Sequence, residues 1–238
     1  MKEKIEIIYE DENVIAVSKA SGIYTIAGDG QDKTKTVLHI LSKQIGEKLI
    51  PIHILDVEAS GVLVFAKNAT AYEYIRSQFE NKTVVRKYIT LLSGFVQEDE
   101  GEINMPILIS SGDVSIDVTG KEAITKFKVL ERFKSYTLVE AFPVTSMRCQ
   151  LRAHFWSIGN PIAIDAEFGV NEPILLSSIK RKYKSKKGQQ ERPLISRLTL
   201  HLESLTLKVP NTNEKRTFIS SLPKDFEITL NKLEKYGR

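Results

Sequence analysis

Cysteine occurs once in 238 residues, at Cys149, so no disulfide can close within the chain and a reducing, cytoplasmic setting is expected. Long apolar runs are missing: nothing approaches the roughly 18 consecutive residues that cross a bilayer. The opening MKEKIEIIYEDENVIAVSK has no basic head followed by an apolar stretch, so no secretory signal is visible. GxxxxGK[ST] and GxGxxG are both absent, which leaves a phosphate-cradling nucleotide loop unsupported. Histidine is scarce and scattered (His39, His53, His154, His201), and one cysteine cannot build a thiolate site, so no metal is expected. There is no internal repeat. Disorder over most of the length is excluded by 42% hydrophobic against 27% charged residues. The length suits one elaborated domain or two small ones.

Charge is unevenly placed. The segment KRKYKSKKGQQER (180–192) carries seven Lys or Arg against Glu191, a local +6 in a chain whose net charge is +4. The rest is therefore −2. Such a basic segment on a near-neutral body suits contact with phosphates, or a solvated surface loop.

Strand-like alternation marks two short strands around Asp11-Glu12-Asn13, and returns in KYITLL, AITKFKVLE, YTLVEAF, RLTLHLESLTLKVP and RTFISS. A Gly-rich loop over SGIYTIAGDGQDKTKT precedes the helix VLHILSKQIGEKL, which Thr36 can cap. Asn68 or Thr70 can cap AYEYIRSQFENK, where Ile75 and Phe79 share the core face. MRCQLRAHFWSIG has helical spacing at Met147, Leu151, His154, Phe155 and Ile158, and PKDFEITLNKLEKY reads as a closing helix with Pro223 in its first turn. Strands dominate without regular strand–helix alternation, so an α+β fold with a mixed, mostly antiparallel sheet and flanking helices is predicted.

PIHILDVEASGVLVFAKN (51–68) carries the sharpest chemistry. Val62 to Ala66 reads as a buried strand, and Ser60-Gly61 marks a turn or close backbone approach at its start. An acid beside such a strand loses solvation, so Asp56 is either paired or useful. Asp56 and Glu58 could flank a sugar as in glycoside hydrolysis, yet residues two apart on a strand point the same way, and Glu58 reads better as a solvated loop acid. Cys149 beside Arg148 reads as packing rather than a reactive thiol.

HILDVEASGVLVFAKN resembles the H-R-L-D-x-x-T-S-G-L-L-L-x-A-K segment of the RluA-like RNA pseudouridine synthases. Further collinear likenesses cover residues 5 to 210: IIYEDENVIAVSKASGI with Lys19 and Gly22 kept and Ala20 where proline is usual, RKYITLLSG with Arg86 for lysine, TSMRCQLRAHFWSIGNPIAIDAEFG, and RLTLHLESLTLKVP. Ordered matches are more specific than any single motif. The resemblance implies a single pseudouridine-synthase-like catalytic domain over 1–238, with no S4-type domain before it and a C-terminal extension over 211–238. It implies isomerisation of uridine to pseudouridine in ribosomal or transfer RNA by a monomer, with no cofactor.

The resemblance places the catalytic aspartate at Asp56, the tyrosine that stacks on the base at Tyr88, and the arginine that pairs with the aspartate at Arg152. A carboxylate can act at the sugar as nucleophile or base, and a dry site strengthens it. His53 is expected to position neighbours, and Ile54, Arg86 and Arg148 to meet the RNA. Lys180, Arg181, Lys182, Lys184, Lys186 and Lys187 are expected to contact phosphates. Ile54 stands where the resemblance puts arginine, Thr145 to Cys149 replaces T-G-R-T-H, and Ala163-Ile164 replaces x-G. With the chemical residues kept and the RNA-handling ones altered, an unusual substrate is the first reading and an RNA-binding relative of weak activity the second.

Overall fold

The computed structural model describes residues 4–28, 30–181, 183 and 190–238. In chain order the elements are β1 (Glu6–Glu10), β2 (Val14–Lys19), α1 (Val37–Ile45), β3 (Ile50–Pro51), β4 (Ser60–Ala66), α2 (Ala69–Glu80), β5 (Val85–Ser93), β6 (Glu100–Asn104), β7 (Ile107–Ser110), β8 (Asp113–Ile116), β9 (Ile124–Arg132), β10 (Tyr136–Pro143), α3 (Gln150–Ser157), α4 (Leu176–Ile179), β11 (Leu200–Lys208), β12 (Lys215–Ile219) and α5 (Lys224–Tyr236). They form two compact units, 1–88 with 201–221 and 89–200 with 222–238.

In the first unit the strands run in the order β1-β2-β4-β11, with β12 paired to β11 and β3 to β4. The polar turn expected at residues 11–13 is tied by Asp11, whose Oδ1 accepts from the N–H groups of Asn13 and Val14. β4 is buried at every residue, as its unbroken apolar run predicts. β4 and β11 pair in parallel, through His201 with Ser60 and Leu202 with Gly61, whereas β1 with β2, β2 with β4, β3 with β4 and β11 with β12 are antiparallel. Gly61 is required there. Its φ is +122°, and a Cβ would lie 2.2 Å from the Leu202 carbonyl oxygen.

Helix ends follow their capping chemistry. Thr36 Oγ1 accepts from His39 N, and Asn68 Oδ1 from Ala71 N, so Asn68 rather than Thr70 opens α2. The helix expected over 37–49 stops at Ile45, because Gly46 turns left-handed at φ 78° and donates its N–H to Ser42 O. The core gathers Val14 to Val17, Leu41, Val62 to Phe65, Ile75 and Leu205, with Tyr88 at its margin.

The second unit pairs β10 and β6 with β9 in antiparallel register, and β7 with β8 in a hairpin. β10 alternates half-buried and buried residues throughout, as YTLVEAF predicts. The strands from 100 to 116 were not legible: EGEIN and the short DVSI carry too little apolar alternation. The helix expected from Met147 begins only at Gln150. Cys149 sits left-handed at φ 53°, which no right-handed helix admits, and Met147 donates its N–H to Gln150 Oε1 instead.

Candidate active site

In the first unit Asp56 lies on a turn between β3 and β4, closed by Ala59 N donating to Asp56 O at 3.1 Å. The stretch from Lys19 to Thr25 clamps this turn residue by residue. Leu55 is held both ways, its N–H donating to Thr25 Oγ1 and its carbonyl accepting from it, each at 3.2 Å. Val57 O accepts from Gly22 N at 2.7 Å and Glu58 O from Ser21 Oγ at 2.6 Å. The ammonium of Lys19 is 1% exposed and donates to Ala20 O, Val57 O and Ala59 O at 3.0, 3.1 and 2.7 Å. Beyond the turn, Ser60 Oγ donates to His201 Nδ1, because His201 Nε2 carries the proton it gives to Ser220 O. Asp56 is half-buried and its neighbours are immobilised by hydrogen bonds, the condition for a preorganised carboxylate.

His53 precedes the turn. Its Nε2 accepts from Val64 N at 3.2 Å, so Nδ1 bears the proton, and its ring stacks on Phe79. Burial, then the Arg86 charge, push it down to about 3. It is a neutral ring, held inside the first unit by Val64 N and Phe79. Ile54 beside it is 60% exposed. Glu58 is exposed, as a solvated loop acid should be.

Tyr88 and Arg86 share one face of β5, two residues apart. Burial pushes the Tyr88 phenol up to about 12; Arg86 opposes this and Asp56 adds to it. Arg86 is 7% exposed, with its guanidinium 5.7 Å above the Phe79 ring, and burial lowers its pKa. So the first unit brings together His53, Asp56, Arg86 and Tyr88. Arg86 was expected at the RNA; its side chain is instead within the protein.

The second unit presents Arg152 from α3. Its Nε and Nη2 donate to the two oxygens of Asp165 at 2.8 and 2.7 Å, Nη2 reaches Glu167 at 3.1 Å, and the guanidinium lies 5.2 Å from the Phe168 ring. Asp165 also accepts from the N–H groups of Glu167 and Phe168. Burial would raise its carboxyl, but the Arg152 hydrogen bonds and these backbone donors outweigh that and hold it below the usual range. A chain of hydrogen bonds fixes the approach to α3. Gln150 bridges Thr145 and Thr125, and Thr125 meets buried His154, which donates from Nε2 to Met105 O.

Arg148 is exposed and donates to Gly112 O at 2.7 Å, at the tip of the β7–β8 hairpin. Lys180 lies over the Tyr236 ring at 5.0 Å, and Arg181 is exposed. Lys182, Lys184, Lys186 and Lys187 lie outside the described residues. Asp165 and Lys19 were passed over as site residues, although both stand in the segments that carry the resemblance, DAEFG and SKASG. Among the described residues no group of three or more His, Cys, Asp or Glu converges as a metal site, and no helix is long and apolar enough to cross a membrane.

Residues 13–157 match the family model for RNA pseudouridylate synthase. The uncharacterized RNA pseudouridine synthase YlyB of Bacillus subtilis is 34% identical over 98% of this chain and 74% of its own length. The dual-specificity RNA pseudouridine synthase RluA of Haemophilus influenzae is 31% identical over 90% of this chain and 91% of its own. In fold, the chain is similar to the solved human RNA pseudouridylate synthase domain containing 4, with a TM-score of 0.72 and 24% identity, over 96% of this chain and 93% of that one.

Proposed function

The chain belongs to the RNA pseudouridylate synthase family, and we propose that it isomerises particular uridines to pseudouridine in structured ribosomal or transfer RNA, with Asp56 acting at the sugar. The observation that carries the reading is the clamped turn that holds Asp56 beside the Tyr88 phenol, in the one segment where the resemblance expects the catalytic acid.

Uridine and pseudouridine are isomers, so the reaction balances without oxidant or co-reactant. The N1–C1′ bond breaks, the base turns, C5 bonds to C1′, C5 loses its proton and N1 gains one. Asp56 either attacks C1′ or takes the C2′ proton; a fixed carboxylate serves both. Tyr88 stacks on the base, and a phenol held near 12 stays protonated at neutral pH, so it donates rather than accepts. Arg152 keeps the role the resemblance gives it, a cation for the acting carboxylate, with Asp165 setting its orientation.

Reaching the sugar requires the nucleotide to leave its stack, at a cost of a few kcal/mol. Ile54, exposed on the clamped loop two residues before Asp56, is suited to fill the vacated space as an apolar wedge. Lys182, Lys184, Lys186 and Lys187, with Arg181, supply phosphate contacts. The protein works as a cytoplasmic monomer without a cofactor.

RNA binding without turnover is the second reading. It is favoured by the commitment of Arg148 to Gly112 and by the isoleucine at position 54. RNA carrying tritium at uridine C5 separates the two, because isomerisation releases that hydrogen to water. Catalytic tritium release by the wild-type protein supports the first reading. Tight binding to the same RNA with no release overturns it.

A further inference from the structure

The Gly-rich loop between β2 and α1 carries a side chain that the proposed chemistry does not use, Tyr24. It is 42% exposed, and among the described residues no hydrogen bond, cation or second ring engages its side chain. Tyr9 and Tyr74 of the same unit, by contrast, commit their hydroxyls to Asp11 and Asn213. A lone exposed aromatic residue is ordinary. The backbone beneath this one is not. Tyr24 O accepts from Val37 N at 2.9 Å, and Tyr24 bridges Thr36. On the other side Gly22 N donates to Val57 O, and Thr25 Oγ1 is bonded both ways to Leu55. Ile23 and Tyr24 are thereby held opposite Asp56, the one residue between Leu55 and Val57. Ile54, 60% exposed, adjoins the same Thr25–Leu55 contact.

A cation is fastened to the same place. Thr36 Oγ1 donates to Lys33 O at 3.0 Å, which ties the short 3-10 turn Lys33–Lys35 to the residue that bridges Tyr24. Lys33 and Lys35 are both exposed. Asp32 lies 3.6 Å from Lys35 and offsets its charge, which leaves the turn with one net positive charge, on Lys33. An aromatic face on a fixed backbone beside a cation fits an unpaired nucleotide, whose base stacks while its phosphate meets the ammonium. An apolar ligand has no use for the cation, and a paired duplex keeps its base faces covered.

We propose that Tyr24 is a stacking platform for an unpaired nucleobase flanking the target uridine, with Lys33 on a phosphate of the same strand. This deepens the synthase reading and rests on it. When the uridine leaves its stack the adjoining base loses a stacking face, and Tyr24 supplies one beside the Asp56 turn. Every base has such a face, so Tyr24 selects an unpaired flank rather than a particular base.

The test uses the full chain with ribosomal and transfer RNA transcribed with tritium at uridine C5. Affinity, its salt dependence, single-turnover release and melting temperature are measured together. Tyr24→Ala and Tyr24→Leu should bind this RNA about tenfold more weakly and need correspondingly more of it for half-maximal rate, with the plateau rate held. Tyr24→Phe, which keeps the ring, should bind as wild type does. The logarithmic salt slope should stay constant in all three and fall by about 0.7 in Lys33→Gln. Wild-type affinity in Tyr24→Ala overturns the proposal. So does tight binding by Tyr24→Leu, which would mean apolar contact without stacking. A lower plateau or melting temperature in place of the affinity loss marks a structural tyrosine and also overturns it. Weaker binding by Tyr24→Ala, with no release by wild type, supports the platform and removes only turnover. Release by wild type with unmoved Tyr24→Ala affinity removes only the platform, and a wild type that binds no RNA removes both.

Discussion

Replacing Asp165 by asparagine removes the carboxylate that orients Arg152 while barely changing its shape. Asp165 is buried and takes four donors, Arg152 Nε and Nη2 and the N–H groups of Glu167 and Phe168. Asparagine offers one oxygen in place of two and turns an NH2 group toward a guanidinium that has only donors. Arg152, also buried, still has the Glu167 carboxylate within 3.1 Å. Breaking a buried pair from one side costs about 3–5 kcal/mol. Glu167 is exposed and returns under about 1 kcal/mol, so the net loss is about 2–4 kcal/mol. For a chain of this size that corresponds to a fall in Tm of roughly 5–15 °C at neutral pH.

The sign with pH is fixed by the carboxyl, which is held below its ordinary value of 3.8. Its contribution is complete above the unfolded value and is lost as pH falls through the lower folded one. Thermal unfolding followed by circular dichroism at pH 7 and near pH 3 should therefore show the gap between wild type and Asp165→Asn narrowing in acid. Equal melting at pH 7, or a gap that widens in acid, would refute the account of this pair.

Other outcomes follow from single side chains. His53 stays neutral in the fold down to about 3, so the protein loses stability as pH falls below the unfolded value near 6.5, at up to about 1.4 kcal/mol per unit. His53→Gln, which keeps an acceptor for Val64 N, should flatten the dependence of urea unfolding on pH in that window. An unchanged slope would show that the ring already charges in the fold. Gly61→Ala should cost about 3 kcal/mol or more through steric strain and disrupted strand pairing, since its Cβ would meet the Leu202 backbone; near-wild-type melting would count against the β4–β11 register. Ile54→Arg should leave the single-turnover rate on the natural RNA unchanged or lower, and a large gain would contradict the wedge. Neutralising Lys180, Arg181, Lys182, Lys184, Lys186 and Lys187 should weaken RNA binding and reduce the logarithmic salt slope by about 0.7 for each phosphate no longer neutralised. A constant slope would return that segment to a solvated loop.

How much of this was legible in the sequence depends on the kind of signal. β4 and β10 were readable because burial on both faces or on alternate residues leaves a direct trace in apolar pattern. Asp56 stood out because an acid beside a buried strand needs a reason, and the collinear resemblance supplied one. The start of α3 was hidden: left-handed backbone at Cys149 is a tertiary choice, imposed by the Gln150 network and invisible to helical spacing. The partner of Arg152 in its own unit, Asp165, lies 13 residues away, and no local periodicity links them. Lys19 was noted only as a matching residue, because nothing in SKASG says that its side chain turns inward to three carbonyls. Arg148 was expected at the RNA because it stands one position from the arginine of the resembled segment, and a backbone carbonyl 36 residues away accepts from it.

The most direct test of the central claim is a pseudouridine map of ribosomal and transfer RNA from cells lacking this protein, complemented with wild type or with Asp56→Asn. The account predicts that particular pseudouridines disappear, that wild type restores them, and that Asp56→Asn, folded and binding RNA normally, does not. Restoration of the same sites by Asp56→Asn would contradict it.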